Sequence, residues 1–179
     1  MDFMNKILLL LYVISTGVVM LGFYTINFFT ETLGEDGSGG GNGNPGLFPV
    51  VFVMPFFFYF LYGTAELSMR LAEKYTKRST LFVSLAISVT AAISIVIYTF
   101  WKAEALRAEI FEKKDYLESA SELPLLNTFS NSIFFNSLTF ILVVLVCYII
   151  GALWSVSRGR RRKELLLQTD GKLHEAMDE

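Results

Sequence analysis

Four uninterrupted apolar blocks set the pattern of the chain. Residues 7–29, 47–65, 79–101 and 133–156 contain no Asp, Glu, Lys or Arg. A bilayer core about 30 Å thick is crossed by about 20 residues of α-helix at 1.5 Å rise. Helices of ordinary globular proteins average about 11–12 residues, well short of these blocks. A barrel strand crosses in about 9–11 residues of strict alternation, which is absent here. The pattern therefore predicts an all-α polytopic membrane protein with four transmembrane helices in an antiparallel bundle. The spans are expected at 7–29, 47–67, 79–101 and 133–156, all within a membrane domain of residues 1–157. A glycine-rich loop (30–46), a short loop (66–78), a longer helical loop (102–132) and a polar tail (158–179) account for the rest. The first block exceeds the about 7–15 residues of a signal-peptide core, and no small-x-small cleavage site follows it, so it reads as an uncleaved span.

Within the blocks, small residues recur at helical spacing. Ser84, Ser88 and Ala92 form one row on the third span, and Ala86, Thr90 and Ser94 form another beside it. Cys147, Gly151 and Ser155 repeat the spacing on the fourth, and Gly17 and Gly22 notch the first. Such residues let membrane helices approach closely, which makes the third span the expected centre of the bundle. Phe48, Phe52, Phe56 and Phe60 either fill against it or face lipid. Pro49 sits near a helix start, where its missing N–H costs little. Pro55 lies inside the second span and is the hinge candidate. Asn136 and Thr139 are expected to make a polar contact within the fourth span.

The connections differ in character. Residues 34–46 are low-complexity and offer nothing apolar to bury, as in a mobile loop. Residues 102–121 place Ala103, Leu106, Ile110, Leu117 and Ala120 at helical spacing, with Glu109 and Lys113 as an i,i+4 pair and Pro124 as the stop. This segment is expected to extend the third span or lie on the membrane, with Leu106, Glu109, Ile110 and Leu117 as a possible docking surface. Ser68, Met69, Leu71 and Ala72 can continue the second helix beyond the membrane.

Charge orients the spans. Eleven of the fifteen basic residues fall on the side of the N-terminus, the 66–78 loop and the tail. Cytoplasmic segments carry such an excess, so both termini are expected in the cytoplasm, and the net charge of −2 conceals a basic inside and an acidic outside. Trp101, Trp154, Tyr24, Tyr62 and Tyr98 fall near the expected interfaces, where amphipathic rings concentrate. Arg158, Arg160, Arg161, Arg162 and Lys163 beside the fourth span serve this orientation and offer contacts to anionic lipid headgroups. Residues 170–179 are polar and expected to fray. The absence of an Asn-x-Ser/Thr sequon and of a cleavable signal fits a bacterial plasma membrane.

Composition then removes function classes. One Cys and one His leave no intramolecular disulfide and no conventional zinc site. No basic excess supports nucleic-acid binding, and no glycine loop ends in Lys-Ser or Lys-Thr. The spans hold no ionisable residue of the kind that marks proton relays; Glu66 is nearest, with Arg70 one turn on as its partner. No cofactor and no catalytic residue is expected. The leading expectation is an accessory, regulatory or assembly subunit that binds another membrane protein, or a second copy, through helix faces and its outer helix. An alternative is a small homo-oligomeric transporter or pore wetted by Ser84 and Ser88. A weaker one is a lipid-acting enzyme using Glu104, Glu109 and Glu112.

Overall fold

The computed structural model describes residues 3–34, 39, 43–114 and 119–177, with side chains for all of these except 3–5 and 160–177. Among the described residues the chain is helical with no strand. The helices are α1 (Phe3–Phe28), α2 (Phe48–Tyr75), α3 (Arg78–Lys113), the single turn α4 (Asn131–Phe134) and α5 (Ser137–Met177). Four stretches are long and apolar enough to cross a membrane: Lys6–Phe28, Pro45–Tyr75, Arg78–Lys113 and Asn131–Gly159. Their outward faces are lined with large apolar side chains such as Leu10, Leu21, Val51, Phe58, Ile87 and Ile97. A soluble protein rarely exposes a contiguous apolar surface of that extent.

The helix ends depart from the expected spans where local chemistry permits. Asn44 accepts a hydrogen bond from the Gly46 N–H at 3.0 Å and opens a tight turn at Pro45–Leu47. Pro49 sits in the first turn of α2, and Pro55 is contained within the continuous helix. The expected 66–78 loop shrinks to Thr76 and Lys77. Both are extended residues, and α2 runs through Ser68–Ala72 up to them. Helix α3 continues past Trp101 as expected but stops at Lys113, short of Ser121. Lys114 leaves it in an extended conformation, and Ser119 caps a separate turn by accepting from the Ser121 N–H at 3.2 Å. Helix α5 runs on to Met177, so the polar end expected to fray continues the helix.

The packing order corrects the expectation that α3 lies at the centre. α1 packs on α2, α2 on α5 and α5 on α3, while α2 and α3 diverge from their two-residue turn. The central pair is α2 and α5. Contacts between α1 and α2 match rising numbers with falling ones, from Tyr12 beside Gly63 to Gly22 beside Val53. Those between α2 and α5 rise together, from Phe60 beside Phe140 to Met69 beside Gly151. The physical reason is Gly151. A Cβ there would strike the Ala65 carbonyl oxygen and lie 2.9 Å from the Ser68 Cβ and 3.0 Å from the Met69 N. Glycine is what lets α5 cross the α2 backbone at this distance. Below that crossing Ala72, Leu81, Leu85 and Ala152 close a small core shared by α2, α3 and α5.

Candidate functional site

The small-residue rows sort into used and unused faces. Ser88 and Ala92 are each 8% exposed and turn toward α5, as do Cys147, Gly151 and Ser155 toward their neighbours. The Ser84 hydroxyl meets the Tyr148 hydroxyl at 2.5 Å. The row that motivated a wetted pore is thus filled by intramolecular packing. The second row of α3 has the opposite fate. Ala86, Thr90 and Ser94 are all exposed, with Ser94 donating only back to the Thr90 carbonyl at 2.9 Å. On α1, a Cβ at Gly22 would come within 2.8 Å of the Val53 side chain, whereas Gly17 faces outward, where a Cβ would meet nothing within 4 Å, and is no packing notch within this chain. The buried positions of α1 are instead Ser15, Val19 and Ile26. Sequence reasoning missed Gly63, whose hydrogen face carries the Tyr12 ring, and the adjoining Tyr12–Thr64 hydroxyl contact at 3.1 Å. The phenylalanine row also splits. Phe48, Phe52 and Phe56 face outward, and Phe60 is buried between Tyr12 and Phe140.

The fourth span is broken near its start, at Phe135 and Asn136, and side-chain hydrogen bonds bridge the break. The Asn136 Oδ1 accepts from the Leu138 and Thr139 N–H groups at 2.8 and 3.1 Å, and the Asn136 N–H donates to Thr139 Oγ1 at 3.1 Å. This reciprocal capping box begins α5. The Asn136 Nδ2 donates to the Ser132 and Ile133 carbonyls at 2.8 Å, and Asn27 of α1 donates to the Phe135 carbonyl at 2.8 Å. The spacing Asn136-x-x-Thr139 was the signal that could have located this helix start.

Beyond the break, the two long connections fold onto each other. Asn131 is 0% exposed and forms a reciprocal amide pair with Asn44, at 2.7 and 2.9 Å. The Glu31 N–H donates to the Thr128 carbonyl at 3.0 Å. Lys114, itself buried, donates to the Gly39 carbonyl at 3.0 Å, and its ammonium lies 5.4 Å from the Phe129 ring centre. Gly39 and Gly43 have φ of +106° and +110°, a region glycine reaches without strain. At Gly39 and Asn44 the glycine-rich run is tied to the second connection; residues 35–38 and 40–42 of it lie outside the described residues.

This cap also consumes the face expected to dock a partner. Ile110 is 0% exposed, Ala103 is buried and Leu106 is half-buried, because the end of α3 packs on α4 and the 120–122 turn. Leu117 lies outside the described residues. What the helix presents outward is charged. Glu109 pairs with Lys113 at 3.0 Å and Glu104 with Arg107 at 2.6 Å, a solvated face rather than a poised carboxylate pair. Glu66 pairs with Arg70 at 2.9 Å, as the spacing suggested. Arg158 is exposed and stacks 5.3 Å from the Trp154 ring centre, while the side chains of Arg160, Arg161, Arg162 and Lys163 lie outside the described ones.

Between α1 and α5 a crevice of about 440 Å³ opens laterally. Met20, Phe23, Tyr24 and Asn27 form one wall, and Phe135, Asn136, Ser137, Phe140 and Ile141 form the other. Phe23 closes its depth with edge contacts to Phe135 and Phe140 at 5.5 and 5.6 Å between ring centres. No protein-family model, curated protein or solved structure matches the chain.

Proposed function

We propose that the chain is an integral membrane accessory or assembly subunit that holds another membrane protein, or a second copy of itself, by helix-helix contact. In this reading its four spans alternate in direction across a bacterial plasma membrane. Both termini lie in the cytoplasm, and the folded connections form an extracytoplasmic cap. The basic bias of the 66–78 segment and tail supports that orientation.

The observation that carries the reading is the second row of α3. Helices associate in lipid by close packing of small residues, since apolar surface alone gives no preference over lipid tails. The chain builds two such rows on one helix, uses the first against α5, and leaves Ala86, Thr90 and Ser94 outward. The docking surface accordingly moves from the outer end of α3, where Ile110 is buried, to its membrane face.

Affinity purification in mild detergent tests this. The wild-type chain should bring down a partner, or itself, in fixed stoichiometry. Thr90→Leu, which fills the row on an exposed face, should reduce recovery about tenfold, the ratio for roughly 1.4 kcal/mol of lost contact. A lone monomer recovered repeatedly from native membranes contradicts the proposal. The pore alternative retains only Thr90 and Ser94 as polar lining in a self-associated form. It requires solute flux through reconstituted vesicles that Thr90→Leu diminishes.

A further inference from the structure

The lateral crevice between α1 and α5 points to an occupant of its own. We propose that it holds one acyl chain of a membrane lipid from the leaflet on the cap side, with the lipid's ester region beside Asn27 and Ser137. The inference rests on the membrane placement of the four helices and is independent of the α3 partner.

The shape argues for a chain. α1 and α5 both pack on α2 yet not along each other, so the space has a floor of aromatic rings and an open side. Met20, Tyr24 and Ile141 carry its walls directly into the outward apolar surface. An empty space of about 440 Å³ would forfeit dispersion contacts along both walls. Water needs two to four polar partners, which the apolar depth does not offer. A slender, flexible hydrocarbon chain can follow both walls and reach the aromatic floor.

The chemistry at the mouth fits the other end of a lipid. The Asn27 Nδ2 gives one of its two N–H groups to the Phe135 carbonyl, while its Oδ1 and the Ser137 hydroxyl have no hydrogen-bond partner among the described residues. Both sit toward the cap-side ends of their spans, the end at which the proposal places the glycerol esters. Ser137 can donate to an ester carbonyl and Asn27 can accept from a hydroxyl or amine.

The test uses the full chain in vesicles of phosphatidylethanolamine and phosphatidylglycerol. The probe is a phosphatidylethanolamine with a diazirine in the upper half of one acyl chain, and labelled peptides are mapped by mass spectrometry. Ile93 and Ile97 of α3, exposed at 54% and 64%, serve as references on open surface at similar depth. Labelling at Met20, Phe23 and Ile141 should exceed theirs about fivefold, the ratio for roughly 1 kcal/mol of preference over bulk lipid. Met20→Trp, which fills the crevice from an exposed position, should bring the ratio to about one while α3 labelling stays unchanged. Ser137→Ala, which leaves the apolar walls intact, should lower the ratio about twofold and decides the matter if Met20→Trp disturbs α3 labelling. Equal labelling of crevice and α3 in the wild type overturns the proposal, as does a crosslink from the crevice to another polypeptide. Absence of label from both overturns the membrane placement with it.

Discussion

At the scale of single residues, two glycines of the same spacing class have opposite meanings. Gly151 lies where α5 touches the α2 backbone, and Gly17 faces open space. Gly151→Ala should therefore cost about 1–3 kcal/mol through overpacking against backbone that cannot yield. Gly17→Ala should be neutral or stabilise by up to about 1 kcal/mol through helix propensity. Thermal unfolding in mild detergent separates the two. Asn131 gives a second prediction. Asn131→Leu leaves the Asn44 Nδ2 without its acceptor, which should cost about 1–3 kcal/mol. A double-mutant cycle on the same melting assay should give a coupling of about 1 kcal/mol. A sequence reveals which residues are small or polar. It does not reveal that Asn44 and Asn131, 87 positions apart, meet; nothing local in either segment encodes the other.

At the scale of elements, all four long apolar helices were legible, because bilayer length and freedom from charge are properties of contiguous sequence. Their ends were less so. The 66–75 and 102–113 segments stay helical because nothing there breaks a helix, and polar residues extend one as readily as apolar residues do. The interruption at Phe135 and Asn136 was hidden by an apolar run that continues across it, although the Asn136 and Thr139 pair advertises a cap. Asn136→Leu should remove that cap at a cost of about 1–2 kcal/mol. Hydrogen exchange at the Leu138 and Thr139 amides should accelerate accordingly, while the amides of α3 remain unchanged. Equal rates in both proteins would mean that the break is held by packing rather than by the asparagine.

At the scale of the whole molecule, the order α1, α2, α5, α3 was not legible. A small-residue row marks a face for packing without saying which helix takes it, and of the two rows on α3 only the one facing α5 is buried. The α2–α5 pair becomes central because Gly151 allows backbone contact there. The result is a chain whose small-residue rows are used internally on α5 and on one face of α3 and left open on the other face of α3. Its sidedness has a simple check. A reporter active only outside the cytoplasm should work when inserted in the glycine-rich loop and fail when fused after Glu179; the reverse pattern would invert the placement of the cap. The central claim, that the free face of α3 holds a partner, is tested most directly by a photo-crosslinking residue placed in turn at Ala86, Thr90 and Ser94 in intact cells. The account predicts one discrete adduct of the same mass from all three positions and none from the equally outward Leu10 of α1 or Ile150 of α5. Adducts equally strong from all five positions, or none from α3, would contradict it.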